Sequence, residues 1–121
     1  MAIGDTVAKE LLSGSTSGRG IKVVQTATAG TAIHTAVAGA AAIDEVWLWA
    51  LNTHSAAVDL TLEWGGTTDP DDLINIDGIA VEKGPLLICP GFVLNGGLSI
   101  AAFASQANVI VIFGFVNAMS S

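Results

Sequence analysis

From residue 20 onward, hydrophobic and polar residues alternate along much of the chain with the period of two that is typical of β-strands. The segment AVDLTLEW (57–64) shows the pattern most clearly, because its apolar and polar residues fall on opposite faces. The apolar face holds Val58, Leu60, Leu62 and Trp64, and the polar face holds Asp59, Thr61 and Glu63. This alternation predicts a strand with one face in a core and the other in water.

Other segments rich in Val, Ile and Thr predict further short strands separated by turns. They are IKVVQTAT (21–28), TAIHTAV (31–37), IDEVWLWALN (43–52), PLLIC (85–89), FVLNGGLSIAAFA (92–104) and NVIVIFGFVN (108–117). Within 72–82, Asp77-Gly78 predicts a turn between two short strands, and Asn95-Gly96 predicts a tight hairpin. Residues 20–121 are therefore expected to form an all-β domain, an antiparallel β-sandwich of the jelly-roll type.

The first 19 residues differ in composition from this domain. GDTVAKELL (4–12) predicts a short helix with Asp5 as its N-cap, and SGSTSGRG (13–20) has the composition of a flexible linker. We therefore expect residues 1–19 to form a flexible N-terminal arm. The apolar residues of this arm that are expected to anchor it on another protein are Ile3, Val7, Leu11 and Leu12.

Two predicted strands depart from the alternation, since 46–51 and 109–116 are apolar at successive positions. Such strands need cover on both faces, and the chain offers no crossover helices to provide it. The expected cover is therefore another subunit, in a homo-oligomer. The residues expected at this subunit interface are Trp47, Trp49, Ile110, Ile112, Phe113 and Phe115.

Composition also favours a subunit whose apolar surface is covered by a partner, because few of its residues are charged. The 121 residues suit a single domain, and only 12% of them are charged, about half the usual fraction. A net charge of −7 with four basic residues argues against direct binding of nucleic acid. The longest strongly apolar run, VIVIFGFV (109–116), is too short for a spanning helix, so no membrane partner is expected.

Candidate chemistry is sparse. EWGGTTDPDD (63–72) gathers carboxylates that could hold Ca²⁺, but its Gly-Gly and Asp-Pro pairs predict an acidic turn. His34 and His54 show no zinc-ligand spacing, and each is expected to be structural. Cys89 has no partner for a disulfide and is expected to be a buried hydrophobic residue. We therefore predict no catalytic residues, no metal site and no cofactor.

The tryptophans leave an alternative open, because Trp47, Trp49 and Trp64 could stack on sugars. Exposed tryptophans beside a polar cleft would favour a trimeric receptor- or carbohydrate-binding domain of a fibre or tail. Tryptophans covered in a core or a subunit interface would argue against it.

Four segments together are similar to small virion proteins of tailed phages. They are IKVVQTATAGTAIHTA, DEVWLWALN, LTLEWGGTTDPDD and PGFVLNGGLSIAAFA, and the likeness covers most of residues 20–118. The chain resembles the head decoration (capsid cement) proteins. This resemblance implies a β-rich subunit, a homotrimer, that is assembled in the host cytoplasm, binds the major capsid protein and braces the outer surface of the capsid in the virion.

Overall fold

The computed structural model describes residues 3–81 and 84–121, and the secondary structure in these two ranges consists of β-strands without any helix. No segment of the described chain therefore forms a helix long and apolar enough to cross a membrane. The strands are β1 (Thr6–Leu11), β2 (Ile21–Lys22), β3 (Thr31–Thr35), β4 (Ala42–Asn52), β5 (Val58–Trp64), β6 (Leu73–Ile79), β7 (Leu86–Leu94), β8 (Ser99–Ala104) and β9 (Ile110–Ser120).

The strands form two antiparallel sheets that pack face to face as a β-sandwich, which confirms the predicted fold class. One sheet has five strands in the order β1-β9-β4-β7, with β2 beside β1 on the same edge of β9. The other has four strands in the order β3-β8-β5-β6. The finer jelly-roll assignment stays a prediction.

The pairing of β4 with β9 forms the centre of the five-stranded sheet. The two strands are antiparallel and in continuous register from the Ala42–Ser120 pair to the Asn52–Ile110 pair. They are the two segments whose apolar residues run without alternation, and the structure makes them neighbours. Gly114 keeps them close, because a Cβ at this position would collide with the carbonyl oxygen of Trp47.

The core lies between the sheets and is built from alternate residues of each strand. On β4 and β9 the buried residues are even-numbered, whereas most of their odd-numbered residues are partly exposed on the opposite face. The largest fully buried hydrophobic side chains are Leu12, Ile33, Leu48, Leu60, Leu62, Ile100, Ile110 and Ile112. The predicted apolar face of β5 is confirmed, since Val58, Leu60 and Leu62 all lie in this core.

The helix predicted over residues 4–12 is wrong, because residues 6–11 form β1. This strand pairs with β9 from Thr6–Ser120 to Leu11–Phe115. An isolated helix of about nine residues is marginal in water, whereas the edge of β9 supplies hydrogen-bond partners that no local pattern reveals.

The hairpin predicted at Asn95-Gly96 is also wrong, although a turn does form there. The turn joins β7 to β8, which belong to different sheets and do not pair with each other. Gly96 and Gly97 have φ values of 71° and 69°, and their N–H groups donate to the carbonyl oxygens of Gly39 and Val37. The two glycines therefore form the turn by which the chain crosses from one sheet to the other.

Two strand boundaries also differ from prediction. Residues 73–79 form one strand that continues through Gly78, with a register shift opposite it between Val58 and Leu60. Only Ile21–Lys22 of the segment 21–28 is a strand, because residues 24–30 fold over the four-stranded sheet. There the N–H group of Gly30 donates to the carboxylate of Glu63.

The N-terminal segment joins the sandwich earlier than its composition indicates. Leu12 is 2% exposed and belongs to the core. The N–H group of Gly14 donates to the carbonyl oxygen of Ile33 (2.9 Å), and the Ser13 hydroxyl accepts the N–H of Thr35 (2.7 Å). Residues 12–14 thus lie against the edge of β3 and close one side of the sandwich.

We predict that Leu12→Ala lowers the free energy of unfolding by about 2–5 kcal/mol, the usual cost of truncating a fully buried leucine. Leu11→Ala is the matched control, because Leu11 is 57% exposed and its truncation should cost no more than about 0.5 kcal/mol. Urea denaturation of both variants measures the difference. Equal effects would contradict the placement of Leu12 in the core.

Candidate interaction surface

The outer face of the five-stranded sheet carries closely packed aromatic rings. Trp47, Trp49 and Phe115 have ring centroids 6.1–6.5 Å apart and interplanar angles of 14–27°. Phe113 lies opposite Trp49 in the ladder and is 37% exposed. All four side chains point away from the core, because successive residues of a strand face opposite sides of the sheet. We call these four residues the aromatic cluster.

Glu45 holds one side of the aromatic cluster in place. Its Oε1 atom accepts hydrogen bonds from Trp47 Nε1 (2.8 Å) and Asn117 Nδ2 (3.0 Å). The bond from Trp47, followed by that from Asn117, lowers the pKa of the Glu45 carboxyl below its usual value. Because the indole N–H is already satisfied within the chain, an apolar surface can cover Trp47 without leaving a donor unpaired.

Aliphatic side chains extend the aromatic cluster toward both edges of the sheet. Each pairs in the ladder with a residue of this face, and each is about half-exposed; they are Val7, Leu11, Leu87 and Val93. The Lys9 ammonium lies 4.3 Å from the centroid of the Phe115 ring, a cation–π contact. The result is a largely apolar face, crossed by the polar row of Lys9, Asn117 and Glu45. Large exposed apolar faces usually mark an interaction site.

The outer face of the four-stranded sheet is different in kind. Most of its exposed residues are polar or acidic, and they include Asp59, Asn75, Asp77 and Ser99. This is the wet outer face normally found on a sandwich. The unusual face is therefore the one on β4 and β9, as the unbroken apolar runs predicted.

The six residues predicted at the subunit interface separate into two groups. The four members of the aromatic cluster lie on the outer face, while Ile110 and Ile112 are fully buried in the core. Both groups come from the same apolar runs, and only the direction of each side chain distinguishes them. Alternation along β9 would have assigned Ile110 and Ile112 to the face opposite Phe113 and Phe115.

The four residues predicted to anchor the arm also separate. Ile3, Val7 and Leu11 are 42%, 54% and 57% exposed, whereas Leu12 belongs to the core. Val7 and Leu11 lie on the outer face of the five-stranded sheet, since they pair with Met119 and Phe115. The exposed part of the segment therefore continues the apolar face.

The acidic stretch 63–72 contains the predicted turn. The N–H group of Asp72 donates to the carbonyl oxygen of Thr68 (2.8 Å), and Asp72 Oδ2 accepts the N–H of Thr68 (3.1 Å). The N–H of Trp64 donates to the carbonyl oxygen of Asp72 (2.8 Å) and so ties the turn to β5. Within residues 3–81 and 84–121, His, Cys, Asp and Glu side chains do not gather in threes as a metal ion would require.

Glu63 was expected on a wet face, but its exposure is only 1%. The segment 24–30 covers it, and its carboxylate accepts hydrogen bonds from Thr28 Oγ1 (2.8 Å) and the Gly30 N–H (2.7 Å). The alternation along β5 correctly predicts the two faces of the strand. Glu63 is nevertheless buried, because a loop distant in sequence folds over this end of the strand.

His34 belongs to a buried polar group that the sequence did not reveal. Its Nδ1 accepts the backbone N–H of Ser13 (3.0 Å), so Nε2 carries the proton and donates to Asp44 Oδ2 (2.7 Å). These residues line a cleft of about 490 Å³ between β1 and β3. Although a serine, a histidine and an aspartate meet there, both ring nitrogens are engaged, and the Ser13 hydroxyl accepts the N–H of Thr35.

The arrangement therefore fixes residue 13 against β3 and leaves no free base to activate a nucleophile. Spacing along the chain could not have revealed it, because residues 13, 34 and 44 come from three separate segments.

Cys89 and His54 lie apart from this group. The Cys89 thiol is buried and donates to the carbonyl oxygen of Val46 (3.2 Å), and burial raises its pKa, so the nucleophilic thiolate is disfavoured. His54 is half-buried in the β4–β5 loop, where its N–H donates to Asn52 Oδ1 (2.8 Å). The predicted structural roles of these two residues agree with this geometry.

Comparisons of the chain with models of protein families, with curated proteins and with solved structures found no match.

We predict that Asp69→Asn combined with Asp71→Asn changes the melting temperature by less than about 2 °C, with or without Ca²⁺, since exposed substitutions usually cost little. Asp72→Ala is the contrasting variant, because it removes the acceptor of the Thr68 N–H. The loss of about 1 kcal/mol should lower its melting temperature by about 4 °C or more. A Ca²⁺-dependent rise that the double variant abolishes would show that the turn binds the ion.

Proposed function

We propose that this protein is a structural virion subunit, a capsid decoration protein that works as a homo-oligomer. The observation that carries the proposal is the aromatic cluster with its aliphatic surroundings, which covers a sheet face that is wet in an ordinary sandwich. We assign the centre of this face, the aromatic cluster with Leu87, to contact with other copies of the chain.

The physical argument for association is the free energy of burying this face. Removing apolar surface from water stabilises a contact by about 25 cal/mol per Å², and a stable interface usually buries about 800 Å² on each partner. Large rings near the centre of a contact supply most of the binding energy in known interfaces. Burial of Trp47 would leave no unpaired indole N–H, because this group already donates to Glu45 within the same chain.

The capsid assignment is supported by the resemblance of the sequence to head decoration proteins. The acidic outer face of the four-stranded sheet suits the outside of a shell, where a net charge of −7 keeps the subunit soluble and away from nucleic acid. Ile3, Val7 and Leu11 remain exposed, and we propose that they contact the major capsid protein. Binding at many equivalent sites strengthens a modest contact through avidity. By the same resemblance, the expected oligomer is a trimer.

The alternative, a receptor- or carbohydrate-binding domain of a fibre or tail, is favoured by one observation, the partial exposure of Trp47 and Trp49. That alternative also needs a polar cleft beside the rings, however. The nearest ladder neighbours of Trp47 and Trp49 on this face are instead the apolar residues Phe113, Phe115 and Leu87. These surroundings suit a subunit interface better.

We predict that Phe113→Glu combined with Leu87→Glu weakens oligomerisation by at least about 100-fold, because unpaired charges buried in an interface cost several kcal/mol. The matched control is Asn75→Glu combined with Ser99→Glu, which adds the same charge to the other outer face. Sedimentation velocity at micromolar concentration measures the effect. A wild-type protein that sediments as a folded monomer would contradict the proposed oligomer.

We also predict that Val7→Ser combined with Leu11→Ser lowers the occupancy of the protein on empty capsids of its own phage by at least about tenfold in competition with the wild type. Each apolar side chain that is buried contributes about 1.5–3 kcal/mol. Val24→Ser combined with Leu98→Ser is the control, because these residues are similarly exposed elsewhere. Equal occupancy of the wild type and the Val7/Leu11 variant would show that these side chains do not anchor the protein.

A further inference from the structure

A sheet edge exposes unpaired backbone groups, and proteins normally block such edges. At one end of the five-stranded sheet, β7 is blocked by Pro90, which has no N–H, and by two register shifts in its pairing with β4. At one end of the four-stranded sheet, β6 has a register shift in its pairing with β5, and the Gly78 N–H donates to Asp59 Oδ1 (2.7 Å). Both edges are poor templates for another strand.

The edge formed by β3 is covered from within the chain. Gly14 N–H donates to the carbonyl oxygen of Ile33, and Thr35 N–H donates to the Ser13 hydroxyl. The remaining edge is formed by β1 and by the two-residue strand β2, and only β1 is long enough to pair with another strand. The six residues of β1 are all exposed, and within residues 3–81 and 84–121 this strand pairs with β9 alone.

The hydrogen bonds of β9 show which backbone groups of β1 face outward. Thr53 N–H donates to the Val109 carbonyl on the β4 side, while Val23 N–H donates to the Ile110 carbonyl on the β2 side. Backbone groups of successive residues in a strand point to opposite neighbours. Because β9 pairs with β4 in continuous register, its even-numbered residues direct their groups toward β2 and β1.

Ala8 pairs with Ala118, so Thr6, Ala8 and Glu10 direct their backbone groups inward to β9. The N–H and C=O groups of Val7, Lys9 and Leu11 therefore point to the open edge. A lysine in mid-strand often protects such an edge. Here the Lys9 ammonium lies over the Phe115 ring, on the sheet face, and leaves the backbone edge accessible.

We propose that β1 pairs antiparallel with β1 of a second copy about a two-fold axis at Ala8. This register places Val7 opposite Lys9 of the other copy and Thr6 opposite Glu10. The register shifted by one pair, which centres on residue 9, would place the two Lys9 side chains opposite each other and is disfavoured. The formal charges of Lys9 and Glu10 cancel, so these strands meet without the repulsion expected from chains of net charge −7.

This edge fits a second copy of the chain. A two-fold axis places every outward N–H of β1 opposite an outward C=O of β1 in the other copy. Pairing joins two five-stranded sheets into one and places their apolar outer faces side by side. The contact is separate from the one assigned to the aromatic cluster, and it extends the proposed assembly by linking oligomers through a different surface.

The test is Ala8→Cys, oxidised with a glutathione redox buffer at micromolar protein concentration. In the proposed register the two residues at position 8 form a non-hydrogen-bonded pair with Cα atoms about 4.5 Å apart, within the range for a disulfide. We expect a disulfide-linked dimer of Ala8→Cys, and little cross-linking of the neighbouring variants Lys9→Cys and Glu10→Cys. The wild-type chain, in which the native Cys89 is buried, measures the background level of cross-linking.

A second pair of variants tests the backbone. Lys9→Pro removes an outward N–H and leaves the ladder to β9 intact, so the variant should fold but pair at least about tenfold more weakly; Lys9→Ala controls for the lost side chain. Sedimentation is measured with Phe113→Glu and Leu87→Glu present, so that only the β1 contact remains. Failure of Ala8→Cys to cross-link, or equal association of the proline and alanine variants, would overturn the β1 pairing. Neither result would affect the oligomer assigned to the aromatic cluster.

Discussion

The antiparallel pairing of β4 with β9 is the interaction on which the rest of the structure depends. It runs over all eleven residues of each strand, and every other strand of the five-stranded sheet attaches to one of these two. Its inner side supplies Leu48, Ile110 and Ile112 to the core, and its outer side supplies the aromatic cluster. A single strand pair therefore generates both the stability of the subunit and its candidate interaction surface.

The two outer faces of the sandwich differ in polarity. The four-stranded sheet presents acidic and polar residues such as Asp59 and Asp77, which favour solubility. The five-stranded sheet presents aromatic rings, and the indole N–H of one of them, Trp47, is satisfied internally by Glu45. In the assembly proposed above, a partner would cover the apolar face and the polar face would stay hydrated.

The N-terminal segment lies partly in the core and partly on the surface. Its last residues belong to the sandwich, because Leu12 is in the core and Ser13 is held by His34. The preceding strand, β1, is exposed along its length and contributes nothing to the hydrophobic core cluster. Elements with few buried contacts lie at the low-stability end of a fold. The boundary between core and exposed segment therefore lies at residues 11 and 12, whereas composition placed it at 19 and 20.

The sequence by itself determined the class of fold and the unusual face. Alternation in 57–64 depends only on neighbours two residues apart, so it correctly assigned Leu60 and Leu62 to the core, and unbroken apolar runs identified β4 and β9. Tertiary structure alone decided that these two runs are partners, that residues 6–11 form a strand, and that Glu63 and His34 are buried. The reason is physical: each of these outcomes rests on contacts between segments distant in sequence, and the chain crosses between the sheets at six of the eight connections between successive strands.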